Sequence, residues 1–297
     1  MAKWKGKTRG GLTGYRIFII VLTYLGLPFA YFLLRFVAFY FVLFNPSSFK
    51  SVYYYFRQRL GNGFFQTLIN IYRNYYVFGQ VILDRVAIMG GFTAKFTYNF
   101  DGEDWLREMT MQKTGGLLIS AHIGNFEMAG HLLERLNTSV KVVMLDAEHQ
   151  KIKSYLDGVT RKSFSVIPLT GDHSHLYAIK ESFENKELIC MHGDRFMPGS
   201  KTTACNFLGK DAFFPTGPFY LALKYEVPVS FVFAMKEGKN HYHFYASRPR
   251  VYSCPASPQK RDEAVQDILK NYITELENKI NLYPMQWFNY YNFWNET

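Results

Sequence analysis

One long hydrophobic segment dominates the start of the chain. The eighteen residues Ile17–Leu34 carry no charge, and the apolar pattern resumes after Arg35. A membrane-spanning helix needs about 20 apolar residues, so this segment is long enough to enter a bilayer. Gly26 and Pro28 lie within it and predict a kink. A buried core helix and a secretory signal peptide are the alternatives, but the segment is long for a signal peptide and no small-residue cleavage site follows it.

Residues 51–89 show a helical pattern in which aromatic and basic residues alternate. The Gly61-Asn62-Gly63 sequence predicts a break that divides this region into two helices. One interpretation is an ordinary amphipathic helix pair with a solvated basic face. The interpretation that we favour is an interfacial pair, with rings at the depth of lipid headgroups and arginines on phosphates, because the hydrophobic segment is adjacent.

After Asp101 short apolar runs alternate with helical stretches, a pattern typical of an α/β protein. The predicted strands are Gly116–Ala121, Val140–Leu145, Ser165–Leu169, Leu188–His192, Val227–Met235 and His241–Ala246. The predicted helices are Asn125–Leu136, His149–Arg161, Ser174–Asn185, Gly217–Tyr225 and Ser257–Leu282. Such alternation predicts a mixed, mostly parallel sheet with helices on both faces. We therefore expect residues 1–100 to form a membrane anchor with interfacial helices and residues 101–297 to form one α/β domain.

Charge separates the same two regions. The chain has a net charge of +10, and residues 1–100 contain twelve basic side chains against one acid, Asp84. Basic and aromatic residues together suit nucleic acid or an anionic membrane. The hydrophobic segment favours the membrane, and no nucleic-acid-binding motif occurs. Three unpaired cysteines favour a reducing compartment, and no metal-ligand spacing or cofactor motif is present.

The most informative sequence is GGLLISAHIGNFEMAG, residues 115–130. A predicted buried strand ends at His122, and Glu127 follows in the first turn of a predicted helix. Catalytic groups gather at the carboxyl ends of strands in open α/β sheets. A carboxylate at this spacing can hold one tautomer of the imidazole and stabilise the imidazolium after His122 accepts a proton. An isolated histidine and glutamate at this spacing would more often have a structural role. Gly124 is predicted to allow a tight turn between the strand and the helix.

The HIGNFE sequence resembles the HxxxxD/E motif of the late lipid A biosynthesis acyltransferases, inner-membrane enzymes that transfer a fatty acyl chain from acyl-acyl-carrier-protein to a lipid A precursor hydroxyl. The resemblance extends over nearly the whole chain. The other matching features are the N-terminal apolar helix, the sequence Met191-His192-Gly193-Asp194-Arg195, the Phe207-Leu208-Gly209 turn, the sequence Phe214-Pro215-Thr216-Gly217-Pro218 and the sequence Tyr283-Pro284-Met285-Gln286-Trp287. The resemblance also implies a sheet like that of glycerolipid acyltransferases.

The resemblance implies roles for individual residues. His122 is the expected general base and Glu127 its acidic support, while Arg161 is the expected oxyanion partner unless it is a solvated cation at a helix end. Asp194 and Arg195 are expected to position the acceptor or a phosphate, the alternative being a buried ion pair. The remaining predicted substrate-binding residues are Asn125, Thr216 and Gly217. No GxSxG nucleophile motif occurs, so direct transfer is expected rather than an acyl-enzyme.

The aromatic tail at residues 287–294 departs from the family, whose members carry a basic or histidine-containing stretch there. A phosphorylated glycolipid needs cations, so the acceptor stays open between a lipid A precursor and an aminolipid, a lysophospholipid or a polyene-type lipid. The tail itself is interpreted as a belt at a lipid interface. We expect the donor to be acyl carrier protein or acyl-CoA, and a cytoplasmic active site at the inner membrane. A non-catalytic lipid-binding module is the second hypothesis.

Overall fold

The computed structural model describes residues 12–89, 96–126, 138–145, 165–169, 174–197 and 199–294. Eight α-helices are defined in these ranges. They are α1 Leu12–Tyr24, α2 Gly26–Phe44, α3 Pro46–Tyr54, α4 Phe64–Met89, α5 Glu103–Met111, α6 Ser174–Glu184, α7 Gly217–Tyr225 and α8 Pro258–Leu282. A π-helical turn, Tyr55–Arg59, extends α3, and a 3₁₀ turn, Pro284–Gln286, follows α8.

The N-terminal hydrophobic segment divides into two helices at the predicted place. Gly26 has a φ of +76°, a conformation that favours glycine, and it begins α2 directly after the break that follows Tyr24. Pro28 lies in the first turn of α2, where its missing N–H costs no hydrogen bond, so the chain turns at Gly26 and not at Pro28. Within the described ranges α2 alone is long and apolar enough to cross a membrane.

Helix α2 has two apolar sides. One stripe, which includes Ala30 and Leu34, is buried against α4, where Gly79 leaves so little space that an added Cβ would lie 2.4 Å from Leu34 Cδ1. The opposite side is exposed although it is also apolar. Its exposed side chains are Phe29, Phe32, Phe36, Phe39, Tyr40, Leu43 and Phe44. An exposed apolar surface of this kind is uncommon in a protein surrounded only by water.

The strands form a seven-stranded sheet and a separate hairpin. They are β1 Thr97–Asp101, β2 Gly116–Ser120, β3 Val140–Leu145, β4 Ser165–Leu169, β5 Leu188–His192, β6 Thr202–Phe207, β7 Lys210–Pro215, β8 Val229–Lys236 and β9 His241–Ala246. The sheet order is β1-β9-β8-β2-β5-β3-β4, and every neighbouring pair is parallel except β8 with β9. The mixed, mostly parallel sheet is therefore confirmed.

Helices cover both faces of this sheet. Adjacent residues of a strand point to opposite faces. Ile119 of β2 packs in one buried cluster with Tyr272 of α8, whereas Leu118 packs in another with Leu106 and Met109 of α5. The predicted α/β architecture with helices on both faces is thus present around β2, the strand that leads to His122.

The sequence pattern located most of these elements. Four of the six predicted strands have the predicted bounds, and helices α6, α7 and α8 agree to within a residue. The break at residues 61–63 is confirmed, because α4 begins at Phe64. The predicted helix His149–Arg161 and nearly all of Asn125–Leu136 lie outside the described residues. The domain division at residue 100 stays a prediction; strand β1, which joins the sheet, begins at Thr97.

Candidate active site

Two neighbouring parallel strands bring the candidate catalytic residues together. Strands β2 and β5 pair in register, with Ser120 opposite His192, and the Gly193 N–H donates to the Ser120 carbonyl at 2.9 Å. The chain continues past each strand by two residues, to His122 and to Asp194. Because parallel strands end at the same edge of a sheet, residues 72 positions apart meet there.

Asp194 holds His122 through both of its carboxylate oxygens. Its Oδ1 lies 2.8 Å from Nδ1 of the His122 ring, and its Oδ2 accepts the His122 backbone N–H at 2.9 Å. The Asp194 side chain is only 2% exposed and the His122 side chain 14%. Burial disfavours the charged carboxylate, but the charge and hydrogen bond of His122, together with Arg195, outweigh it and keep the pKa of Asp194 below its ordinary 3.8. Asp194 is therefore ionised at neutral pH.

A tight glycine turn follows His122 at the end of β2. Gly124 has a φ of +61°, and a Cβ at this position would lie 2.1 Å from the Ala234 carbonyl oxygen on β8. The next backbone N–H, that of Asn125, donates to the same carbonyl at 2.7 Å. The tight turn predicted for Gly124 is confirmed, and only glycine fits this conformation and this contact.

The C-terminal segment supports the same loop from the other side. The Gly124 N–H donates to the Gln286 carbonyl at 2.9 Å, and the Phe288 N–H donates to the His122 carbonyl at 3.0 Å. The amide of Asn74 on α4 donates to two carbonyls of this segment, those of Met285 and Trp287, at 3.0 and 3.1 Å. The tail therefore joins the His122 loop to the N-terminal helices.

The aromatic side chains of the tail belong to the protein core. Trp287, Phe288, Phe293 and Trp294 are each no more than 6% exposed. Trp287 and Trp294 pack on the ring of Phe207 at the β6–β7 hairpin. The interpretation of this tail as a belt at a lipid interface is therefore wrong: these side chains fill the space between the sheet, α3 and the hairpin.

Arg195 fixes the tail from the β5 side. Its Nη2 donates to the Phe288 carbonyl at 2.9 Å, and its guanidinium carbon lies 5.7 Å from the centre of the Tyr291 ring. Asp194 and Arg195 are thus adjacent and charged, but Asp194 hydrogen-bonds to His122 whereas Arg195 hydrogen-bonds to the tail. Their predicted role in binding an acceptor or phosphate stays a prediction.

Asn125 is buried and belongs to a polar network between the sheet and helices α2 and α4. It is 1% exposed, and its amide lies 3.4 Å from the Val81 carbonyl and 3.3 Å from the Tyr242 hydroxyl. The Tyr242 hydroxyl donates to Asp84, which pairs with Lys236 at 2.6 Å. The Tyr31 hydroxyl on α2 also donates to Asp84. Substrate binding by Asn125 stays a prediction, and its contacts with Val81, Tyr242 and Ala234 favour a role in positioning the loop.

The other predicted site residues lie apart from this geometry. The Thr216 hydroxyl and N–H both donate to the Lys201 carbonyl, at 3.1 and 3.0 Å, and Gly217 opens helix α7 beside open space. The hydrogen bonds of Thr216 therefore go to Lys201 and not to His122. Glu127 and Arg161 lie outside the described residues, so their predicted roles as support and oxyanion partner stay predictions.

His192 is a site residue that the sequence reasoning did not select. Its ring lies 4.3 Å from that of His122, centre to centre, at an interplanar angle of 31°, and Phe126 packs edge-on against it at 4.4 Å. Burial, followed by the neighbouring charge of His122, lowers the pKa of His192 to about 3. The i, i+2 spacing of His192 and Asp194 at one strand end was the signal that could have identified it.

One atom from each of His122, His192 and Asp194 lies within 4.8 Å of the others, a spacing compatible with a metal ion. The chemistry fits less well, because both oxygens of Asp194 already accept hydrogen bonds from His122. The neutral His192 and the bonded pair suit proton transfer at His122.

Comparison with known proteins identifies a family. The bacterial lipid A biosynthesis acyltransferase family matches residues 13–296, which is nearly the whole chain. Among solved structures, the 1-acyl-sn-glycerophosphate (LPA) acyltransferase PlsC from Thermotoga maritima is similar with a TM-score of 0.36 and 14% identity, over 83% of this chain and 95% of that chain. That likeness is too distant to carry an argument about the site. No curated protein matches the chain.

Proposed function

The chain belongs to the bacterial lipid A biosynthesis acyltransferase family and is an acyltransferase, and we propose that it transfers a fatty acyl chain to a hydroxyl of a lipid A precursor with His122 as general base. The observation that carries the proposal is the 2.8 Å contact between Nδ1 of His122 and Asp194 at the ends of β2 and β5. Family membership favours an enzyme over the alternative of a non-catalytic lipid-binding module.

The contacts of His122 are those that a general base requires. When Nδ1 carries the proton and donates to Asp194, the lone pair is on Nε2 and can accept the proton of a hydroxyl. The Asp194 carboxylate then stabilises the imidazolium that forms. A hydroxyl has a pKa far above 7 and needs such a base to attack a thioester or ester carbonyl, an effect worth about 10²–10⁴-fold.

Glu127 and Arg161 complete the proposed mechanism. Glu127 is proposed as further acidic support for His122, and Arg161 as the partner of the oxyanion that develops on the acyl carbonyl. Attack by the acceptor oxygen forms the new ester bond, the bond to the donor sulfur breaks, and the proton held by His122 passes to the leaving thiolate. Acyl carrier protein is the proposed donor, with acyl-CoA as the alternative.

Membrane association is proposed from the N-terminal helices. The exposed aromatic and aliphatic side of α2 would be covered by lipid, and the basic side chains of residues 1–100 would contact an anionic surface. We propose the inner membrane with the active site on its cytoplasmic face, because acyl carrier protein is cytoplasmic. The acceptor alternatives are an aminolipid, a lysophospholipid and a polyene-type lipid.

The test is to delete the gene in its host, to compare total lipids by mass spectrometry, and to complement with the wild-type chain and with His122→Ala. Loss of one acyl mass from lipid A, restored only by the wild type, is the expected result. Intact lipid A with another lipid species missing would keep the chemistry and replace the acceptor. Full restoration by a folded His122→Ala protein would contradict the assignment of the base.

A further inference from the structure

A cluster of cations lies around helix α3, outside the site built from His122 and Asp194. A groove of about 300 Å³ is lined by Phe49, Lys50, Tyr53, Tyr54 and Gln58. It has three aromatic rings and one lysine, and no acidic residue lines it. Rings with a cation at the rim are typical of the lipid headgroup region.

Two further cations contact the tyrosine that lines this groove. The guanidinium carbon of Arg59 lies 5.4 Å from the centre of the Tyr54 ring, and the ammonium of Lys210 lies 5.7 Å from the same centre. The Lys210 ammonium also lies 3.4 Å from the Tyr54 hydroxyl. The ring itself is held in place by Trp294, 5.6 Å away. The Tyr54 ring thus gathers two positive charges at a fixed position.

These charges have no acidic partner in the described part of the chain. Within the described residues, none of the three cations Arg59, Lys210 and Lys50 forms an ion pair. The buried Nε of Arg59 has no hydrogen-bond partner there either. Asp211 follows Lys210 directly on β7 and therefore points to the opposite face of the hairpin. Like charges held together repel one another, so an anion at this position would stabilise the cluster.

The position of the groove indicates which anion. Helix α2 ends in four exposed apolar side chains, and α3 begins two residues later. Those four are Phe39, Tyr40, Leu43 and Phe44. Apolar chains would cover the end of α2 while a phosphate reaches the cations of α3 and the hairpin. A free anion would need only the cations, whereas a lipid uses the apolar surface and the aromatic groove as well.

We propose that the groove on α3, with Arg59, Lys210 and Lys50, binds the phosphate of an anionic phospholipid at the membrane surface. The proposal rests on the proposed membrane association of α2. The headgroup contact would be a second site, separate from the active site and next to the C-terminal end of α2. It would orient the enzyme on an anionic leaflet.

The experiment measures the binding of the full chain to vesicles of phosphatidylcholine alone and to vesicles that also contain phosphatidylglycerol. The test variant is Arg59→Gln/Lys210→Gln. The control variant, Lys224→Gln/Lys260→Gln, removes the same charge from exposed positions on α7 and α8. Each basic residue near an anionic surface contributes about 1 kcal/mol, so the test variant should bind the anionic vesicles about 30-fold more weakly. The control should lose far less.

Lys210→Gln alone, at an exposed position, is expected to weaken binding to anionic vesicles about fivefold and serves if the double variant does not fold. Binding to both vesicle types without preference, or equal losses in test and control variants, would overturn the groove while leaving membrane association intact. Binding to neither vesicle would overturn both. Displacement by inorganic phosphate beyond that by chloride at equal ionic strength would overturn the lipid assignment in favour of a free anion.

Discussion

Replacing Asp194 by asparagine tests whether this carboxylate directs the His122 base. In the wild type both acceptor oxygens face N–H donors, the His122 backbone N–H at 2.9 Å and its ring Nδ1 at 2.8 Å. An asparagine has one acceptor oxygen and one NH₂ group, so it cannot satisfy both donors. If its oxygen keeps the backbone N–H, its NH₂ faces Nδ1, which must then be unprotonated. The proton moves to Nε2, and His122 loses the lone pair that accepts the substrate proton.

The size of the effect follows from these two orientations. The reverse orientation preserves the tautomer but sets NH₂ against the backbone N–H, leaving a buried donor unsatisfied at a cost of about 1–3 kcal/mol. The wrong tautomer is therefore favoured by that amount, and the charge that stabilises the imidazolium is gone in either orientation. We expect kcat to fall about 10²–10⁴-fold, the contribution of a general base. KM should change little, because Asp194 is only 1% exposed and faces His122.

The assay is transfer of a radiolabelled acyl group from acyl-acyl-carrier-protein to a lipid A precursor in detergent micelles, with folding checked by thermal unfolding. Asp262→Asn is the matched control, because Asp262 is 63% exposed and pairs with Lys201 on the surface. Glu127→Gln is measured beside it. An Asp194→Asn protein that folds and keeps its kcat would refute the role of Asp194. A large loss in Glu127→Gln alone would assign the orientation of His122 to Glu127.

Three further predictions concern stability, each measured by chemical unfolding. As the pH falls below 6.5, the free energy of unfolding of the wild type should decrease by up to about 1.4 kcal/mol per pH unit. The reason is that His192 becomes protonated in the unfolded chain but, with a pKa of about 3, stays neutral in the folded one. The His192→Gln variant should lack this dependence on pH. Gly124→Ala should destabilise the fold by at least about 2 kcal/mol more than Gly61→Ala, since both have positive φ but only Gly124 lacks space. Asp84→Asn should lower the free energy of unfolding by about 3–5 kcal/mol, because it leaves the buried charge of Lys236 unpaired. Adding Lys236→Met should recover part of this loss, and an equal loss in the single and the double variant would contradict a buried ion pair.

The elements that the sequence predicted well are those whose pattern is local. Strand β5 is a short continuous apolar run, as expected of a strand buried on both faces of a parallel sheet, and helix α8 has buried apolar residues at a helical spacing. The turn at Leu208-Gly209 is likewise local, because positive φ values at both residues, +51° and +77°, suit a tight hairpin turn. Strand β1, helix α5 and the hairpin strands flanking that turn were not predicted. Strand β1 has only exposed and half-buried residues, and β6 has a single buried one, Phe207, so neither strand has the apolar run that marks a buried strand in a sequence.

The partner of His122 was not predictable from spacing along the chain. Glu127, the carboxylate five residues away, is the partner that the sequence predicts, since a short spacing can be evaluated without knowing the sheet topology. Asp194 is 72 residues away and reaches His122 only because β2 and β5 are neighbours in the sheet. Asp194 lies beside a histidine at a strand end, and this context indicated a functional site. It did not indicate whether the carboxylate contacts the substrate or the base, His122.

The aromatic tail and the buried network have one structural consequence in common. The tail donates to the His122 carbonyl and accepts from Asn74 on α4, while Asn125 reaches Asp84 on the same helix through Tyr242. Two separate polar paths therefore connect the loop after β2 to α4, and α4 packs directly on the candidate membrane helix α2. A buried ion pair contributes little net stability compared with apolar packing, but separating its two charges is costly. The position of His122 is thus set by the sheet on one side and by helix α4 on the other, so the α/β body and the N-terminal helices together position the candidate active site.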